Sequence, residues 1–213
     1  KNSSKKMIVS WEGELGLLCR ARNIFNTIIS PSYTLPNVLR EMPKYLAEIF
    51  MLFPMAYILV LGDIDISVGS IVCLSATMAC FASNAGAPMP LVFIIVLLVG
   101  TLCGLINGII MTKFTELPSM IVTLGTQIIF RGIAEITLGS GGSVSLKNVK
   151  GFNAIAGRVG IVPYVFFLVV IAAVIFTLIL GRTTFGRSLY AIGSNRTAAH
   201  YAGIDVQKTR LIV

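Results

Sequence analysis

From Leu91 to Thr112 this chain runs 22 residues without a charged side chain. A bilayer core about 30 Å thick takes about 20 apolar helical residues to cross. A chain in lipid must also satisfy its own backbone, which leaves helices or closed barrels. Two more runs share the property: Ile66 to Ser83, 18 residues, and Val159 to Gly181. Asn84-Ala-Gly-Ala-Pro-Met-Pro90 separates the first two, and its prolines and glycine mark a turn. Only 12% of the chain is charged, against roughly 25% in soluble domains. The expectation is an all-α polytopic membrane protein.

Two weaker spans are expected. Leu117 to Leu138 carries Arg131 and Glu135, spaced i, i+4 as an ion pair. Tyr45 to Leu61 carries Glu48 and Pro54. The weakest candidate, Leu15 to Ile29, holds Arg20 and Arg22 and reads as a poor span, a tilted one or an interfacial helix. Six spans with a cytoplasmic N-terminus put Lys1, Lys5, Lys6, Arg20, Arg22, Lys113, Arg182, Arg187, Arg196, Lys208 and Arg210 inside. Arg40, Lys44, Lys147, Lys150 and Arg158 fall outside, five basic residues against eleven. This asymmetry fits positive-inside anchoring. It also accounts for the net charge of +8 without nucleic acid, since the basic residues sit between apolar runs rather than along one face.

Several function classes find no support. Cys19, Cys73, Cys80 and Cys103 form no C-x-x-C pair, so they read as packing residues rather than a zinc or disulfide framework. Gly139-Ser-Gly-Gly-Ser143 lacks the Gly-Lys-Ser/Thr ending of a phosphate loop and reads as an outer turn. His200, the only histidine, has no nucleophile or second ligand placed to work with it. No cofactor, metal or catalytic residue is implied. The first twenty residues do not read as a cleavable signal. The sequons at Asn2 and Asn195 fall on the cytoplasmic side and are set aside. The basic-then-apolar run Lys208 to Val213 reads as the opening of another span, so further helices are expected beyond it.

Polar residues among these apolar runs mark candidate sites. In Gly62-Asp-Ile-Asp-Ile-Ser-Val-Gly-Ser70, Asp65 or Ser67 can cap the following helix, and either can contact a transported solute. Asn107 lies beside a stripe of Gly100, Gly104 and Gly108, which allows close helix packing. Its amide serves either an interhelical hydrogen bond or a solute path. Thr123 and Gln127, four residues apart, share one helix face as path lining or as helix glue. The segment 182–207 is basic and punctuated by glycine, with small residues that let another surface approach.

These motifs resemble the permeases of ribose-type ABC sugar importers. Gly62, Ile64, Asp65, Ser67, Val68, Gly69 and Ser70 match the signature Gly-Gly-Ile-Asp-Leu-Ser-Val-Gly-Ser, with Asp63 in place of its second glycine. Gly104, Asn107 and Gly108, then Ile121 to Gly125 and Arg131-Gly132, follow in matching order. Thr184 to Arg187, Ala191 to Gly193, Asn195, Ala198, Ala199, Gly203 and Ile204 match the loop that docks on an ATPase, where Thr197 stands at a position often held by Glu. Glu48, Pro54, Arg20 and Arg22 are further departures.

The resemblance covers residues 34–213 and implies a single permease domain of the type II importer kind, with about six of its transmembrane helices in residues 1–213. It implies a place in the bacterial inner membrane. It also implies three partners besides lipid: an ATP-binding subunit, a second permease subunit and an extracytoplasmic sugar-binding protein. A monosaccharide or polyol would pass along Asp65, Ser67, Asn107, Thr123 and Gln127. Gly186, Arg187, Gly193, Asn195, Ala198, Ala199 and Gly203 would couple to the ATPase. The alternatives are an ion-driven transporter using Asp63, Asp65 or Glu48, and a truncated or degenerate permease.

Overall fold

A computed structural model describes residues 11–29, 41–146, 157–160 and 162–213. The expected anchors Lys1, Lys5, Lys6, Arg40, Lys147 and Lys150, and the sequon at Asn2, lie outside the described residues. Nine helices run in order among those described: α1 Trp11–Ile29, α2 Pro43–Val60, α3 Val68–Asn84, α4 Met89–Lys113, α5 Ser119–Leu138, α6 Tyr164–Arg182, α7 Thr184–Ser194, α8 Arg196–Tyr201 and α9 Val206–Ile212. A 3-10 turn follows α5 at Gly139–Gly141. A two-residue antiparallel pair precedes α6, with Arg158 opposite Pro163 and Val159 opposite Val162. Proline sets the starts. Pro88, Pro118 and Pro163 immediately precede α4, α5 and α6 in extended backbone. There the missing N–H costs no helical bond.

The fold is all-α and polytopic. Among the described residues α2, α4, α5 and α6 are long and apolar enough to cross a membrane. The apolar α3, at 17 residues, is shorter than these. It opens at Val68 rather than Ile66 because side chains from elsewhere bind the preceding backbone. The segment expected as the weakest span is helical, as α1, but is not among the span-length apolar helices. Pro54 lies inside α2 without ending it.

Small and polar residues face inward, and large apolar ones face out. The buried positions of α3 are Ser70, Leu74, Ser75, Thr77 and Ser83. By contrast Ile128, Ile136 and Leu97 are 73%, 82% and 68% exposed, a surface suited to lipid or to partner helices. Helices α3, α4 and α5 pack together around Leu74, Cys103, Phe130 and Ala134. Helix α2 pairs with α6, and Tyr57 donates a 2.6 Å hydrogen bond to the Phe176 carbonyl. On α5, Arg131 Nε lies 2.9 Å from Glu135 Oε1, the expected i, i+4 pair.

Helix α9 joins the two groups by lying on α4. Gly108 makes this possible, because a Cβ there would fall 2.9 Å from Leu211 Cδ1. In the same stripe Gly100 approaches Ser75, and Gly104 has no atom within 4 Å of a built Cβ. At the opposite end, Asn84 Nδ2 donates to Ser145 O at 2.9 Å, tying the α3–α4 turn to the loop after α5. The α2–α3 and α4–α5 loops and all residues after α6 therefore share the other end, which is the expected basic, cytoplasmic side.

Candidate transport path and cytoplasmic coupling region

The chain leaves α2 at Gly62, whose φ of +82° suits glycine. Non-helical backbone at a membrane helix end needs partners for its N–H groups. Gly62 and Asp63 donate to Leu59 O and Ile58 O. Ile64 N donates to Ser119 Oγ at 3.1 Å, and Ile66 N to Thr123 Oγ1 at 3.2 Å. Two hydroxyls of α5 thus hold the loop that leads into α3.

Four of the five expected path residues meet here. Asp65 Oδ1 accepts from both Ser67 N and Ser67 Oγ at 2.7 Å. Ser67 Oγ in turn accepts from Asn107 Nδ2 at 2.8 Å. Thr123 Oγ1 also points its proton toward Ile64 O at 3.3 Å. Asp65 therefore caps the start of α3, while the Ser67 hydroxyl serves the network instead. Ser67, Asn107 and Thr123 are 0%, 3% and 0% exposed. Gln127, one turn along α5 from Thr123, stands apart from the network, and its Oε1 is buried with no hydrogen-bond partner. Asn107 Oδ1 is equally unpartnered. A cleft of about 80 Å³ runs past Asp65, Gly104 and Asn107 to Arg210.

At the end of α6 the Thr183 hydroxyl donates to Ile179 O at 2.6 Å and accepts from Gly186 N at 3.2 Å. One side chain thereby caps α6 and opens α7. Gly186 fits the corner because a Cβ there would fall 2.0 Å from Leu180 O. Asn195 caps α8 by accepting from Ala198 N at 3.0 Å. The C-terminus of α8 is a Schellman motif: Gly203 N bonds His200 O and Ile204 N bonds Ala199 O, with Gly203 at φ +83°. The Ala198-Ala199-x-x-x-Gly203 pattern is therefore a short helix with its glycine cap. Ala199 is buried against Leu189, Ile192, Tyr57 and Leu61. Arg187, Asn195 and Ala198 are exposed, and Tyr201 is 86% exposed. A groove of about 440 Å³ lies beside them, lined by His200, Gly203, Ile204, Asp205, Val206 and Gln207.

Residues 45–213 match the model of a family described as branched-chain amino acid transport system permease components. The chain belongs to this permease family. With its apolar helices, the permease is an inner-membrane protein. Among its relatives is the autoinducer 2 import system permease protein LsrD of Salmonella paratyphi A, 33% identical over 209 residues, covering 94% of this chain and 62% of that protein. The LsrD of Escherichia coli O9:H4 is 36% identical over 164 residues, 73% of this chain and 48% of that protein. The permease thus spans about six-tenths of the length of the first of these curated relatives. No solved structure matches it.

One feature of the permease site escaped the sequence reading. Asp63 is 5% exposed and accepts hydrogen bonds from two arginines. The acid standing where the resembling signature has glycine was the available signal. Its partners, 133 and 147 residues away, leave no local pattern. The other difference concerns the small residues of segment 182–207. Gly186, Gly193 and Ala199 seat the segment on the permease's own helix ends and core, leaving Arg187, Asn195 and Ala198 on the outside.

Proposed function

We propose that this permease is one membrane subunit of an ABC importer, driven by ATP hydrolysis on a partner. The observation that carries the reading is a polar line inside apolar helices. Asp65, Ser67 and Asn107 are joined by hydrogen bonds, Thr123 holds the backbone of the same loop, and the buried amide oxygens of Asn107 and, one turn from Thr123, Gln127 lack partners. Hydrogen-bonding groups in lipid are costly to leave unused. Here they offer a solute replacement partners for the water it loses. The line ends on the same side as α7 and α8, whose exposed Arg187, Asn195, Ala198 and Tyr201 would meet the ATPase. Closure of two ATPase subunits would then move these helices and change which side the path faces, through differential binding to the two states.

A monosaccharide or polyol suits the network, whose donors and acceptors complement hydroxyl groups. The relatives' name supports a second cargo, autoinducer 2. An extracytoplasmic binding protein would deliver either one, and a second permease subunit would complete the path. The ion-driven alternative loses Asp63 from its three candidate carboxylates, because both Asp63 oxygens are engaged by guanidinium groups, and it rests on Asp65 or Glu48. Purification of the full-length protein from native membranes in mild detergent tests the reading. A stoichiometric ATPase and ATP-dependent uptake in proteoliposomes support it. A clean preparation with uncoupler-sensitive uptake overturns it. Competition of that uptake by sugars, polyols, autoinducer 2 or branched-chain amino acids identifies the cargo class.

A further inference from the structure

Asp63 sits where three parts of the chain meet. Arg210 Nε donates to its Oδ2 at 2.9 Å, and Arg210 Nη2 to its Oδ1 at 3.2 Å. Arg196 Nη2 donates to the same Oδ1 at 2.7 Å. Arg210 also donates through Nη1 to Met111 O, near the end of α4, at 3.2 Å. The two arms differ. The Arg210 side chain is 5% exposed, while that of Arg196 is 42% exposed. The first is a desolvated two-point pair, and the second is partly screened by solvent. Removing one partner of such a buried pair leaves an uncompensated charge, so a substitution at either Asp63 or Arg210 should be strongly felt.

What this pair joins gives it a consequence. Arg196 is the first residue of α8, and Arg210 belongs to α9. Asp63 lies two residues before Asp65, which holds Ser67 and through it Asn107. The intervening backbone is pinned at Ile64 and Ile66 by hydroxyls of α5, so it has little slack. Beside it, Gly193 of α7 lies against Val60 O.

We propose that Asp63 is a positioning residue that binds α8, α9 and the 61–67 loop into one moving body, so that a displacement of α8 reaches the Asp65–Ser67–Asn107 group. The resembling signature has glycine here, so the link belongs to this chain rather than to the signature. Its effect on transport rests on the importer reading, whereas the link itself does not.

Amide hydrogen exchange on the full-length protein in lipid nanodiscs, without nucleotide or partner, tests the link. D63N and R210Q should each speed exchange about tenfold or more in both the 61–67 loop and α8–α9. The double variant should fall short of the two single effects combined, because the shared Asp63–Arg210 contact is lost only once while the Arg196 and Met111 bonds are lost separately. R196Q, at the half-exposed arm, is the milder variant should the buried changes prevent folding, and it should loosen α8 and the loop together. Exchange confined to the substituted segment, or additive in the double variant, overturns the link. In the reconstituted importer, R196Q should lower solute moved per ATP hydrolysed about fivefold while hydrolysis stays within about twofold of wild type, a split that general destabilisation would not give. An unchanged ratio overturns the positioning role. Absence of ATP-dependent uptake by the wild type counts against the importer reading, and the exchange data still decide the link.

Discussion

Gly193 lies so close to Val60 that a Cβ added to the glycine would fall 1.9 Å from the valine carbonyl oxygen. No rotamer change relieves a clash between a Cβ and backbone. The contact fixes α7 against the end of α2, immediately before the turn at Gly62. Gly193→Ala should therefore cost about 1–3 kcal/mol or more by overpacking, seen as a lower unfolding midpoint of the solubilised protein. A bulkier residue at this position should disturb the fold as well as any docking. Gly203→Ala meets no atom within 4 Å but keeps φ at +83°. It should cost about 1–2 kcal/mol from backbone strain. A loss below about 1 kcal/mol from Gly193→Ala would contradict the tight seat at Gly193.

Thr123→Val keeps the shape of the side chain and removes its hydroxyl. Ile66 N, which bonds that hydroxyl at 3.2 Å, would lose its acceptor. The expected cost is about 1–3 kcal/mol for a buried unsatisfied donor. Thr123→Ser should restore most of it. The same denaturation assay on the three proteins checks the order wild type, Ser, Val.

Gln127→Met separates two roles for the Gln127 side chain. Its Oε1 has no hydrogen-bond partner, so that acceptor contributes no bond to helix packing. Stability should hold or rise, because the change removes a buried acceptor that has no partner. Uptake should fall, with a raised KM, if the amide meets solute. Unchanged stability with unchanged uptake would remove Gln127 from the path.

Tyr57→Phe removes the hydroxyl that bonds Phe176 O at 2.6 Å and leaves the stacked neighbours in place. It should destabilise the α2–α6 pair by about 0.5–1.5 kcal/mol, the usual net worth of one hydrogen bond. Thermal unfolding of the two proteins in the same detergent measures this.

The parts of the structure that depend on near neighbours could be read from the sequence. Charge-free runs became helices α3, α4 and α6 because lipid-facing positions need no partner more specific than apolar surface. Asp65 or Ser67 was expected to cap α3; Asp65 accepts from the Ser67 N–H, two residues away, and the Ser67 side chain makes no cap bond. Arg131 and Glu135 pair one turn apart. What the sequence hid depends on the three-dimensional meeting of distant segments. The start of α3 moves to Val68 because Thr123, 57 residues from Ile66, holds that residue's N–H. The small residues of α7 and α8 read as room for a visiting surface, yet Gly193 and Ala199 are occupied by this chain's own Val60 and Leu189. Asp63 stood out only as an acid in place of the signature's glycine and as a candidate coupling carboxylate, because both of its partners come from the final eighteen residues.

The Thr183 hydroxyl, shared between the last turn of α6 and the first turn of α7, makes a stiff elbow of what would otherwise be a loose joint. A stiff elbow turns a sideways push on the short arm into rotation of the long one. Force applied at the water-facing α7 would thus twist a membrane-spanning rod without first being lost in a floppy connection. On the importer reading proposed above, Thr183 would serve as the crank pin of that motion, and its substitution should loosen the whole arm rather than one contact.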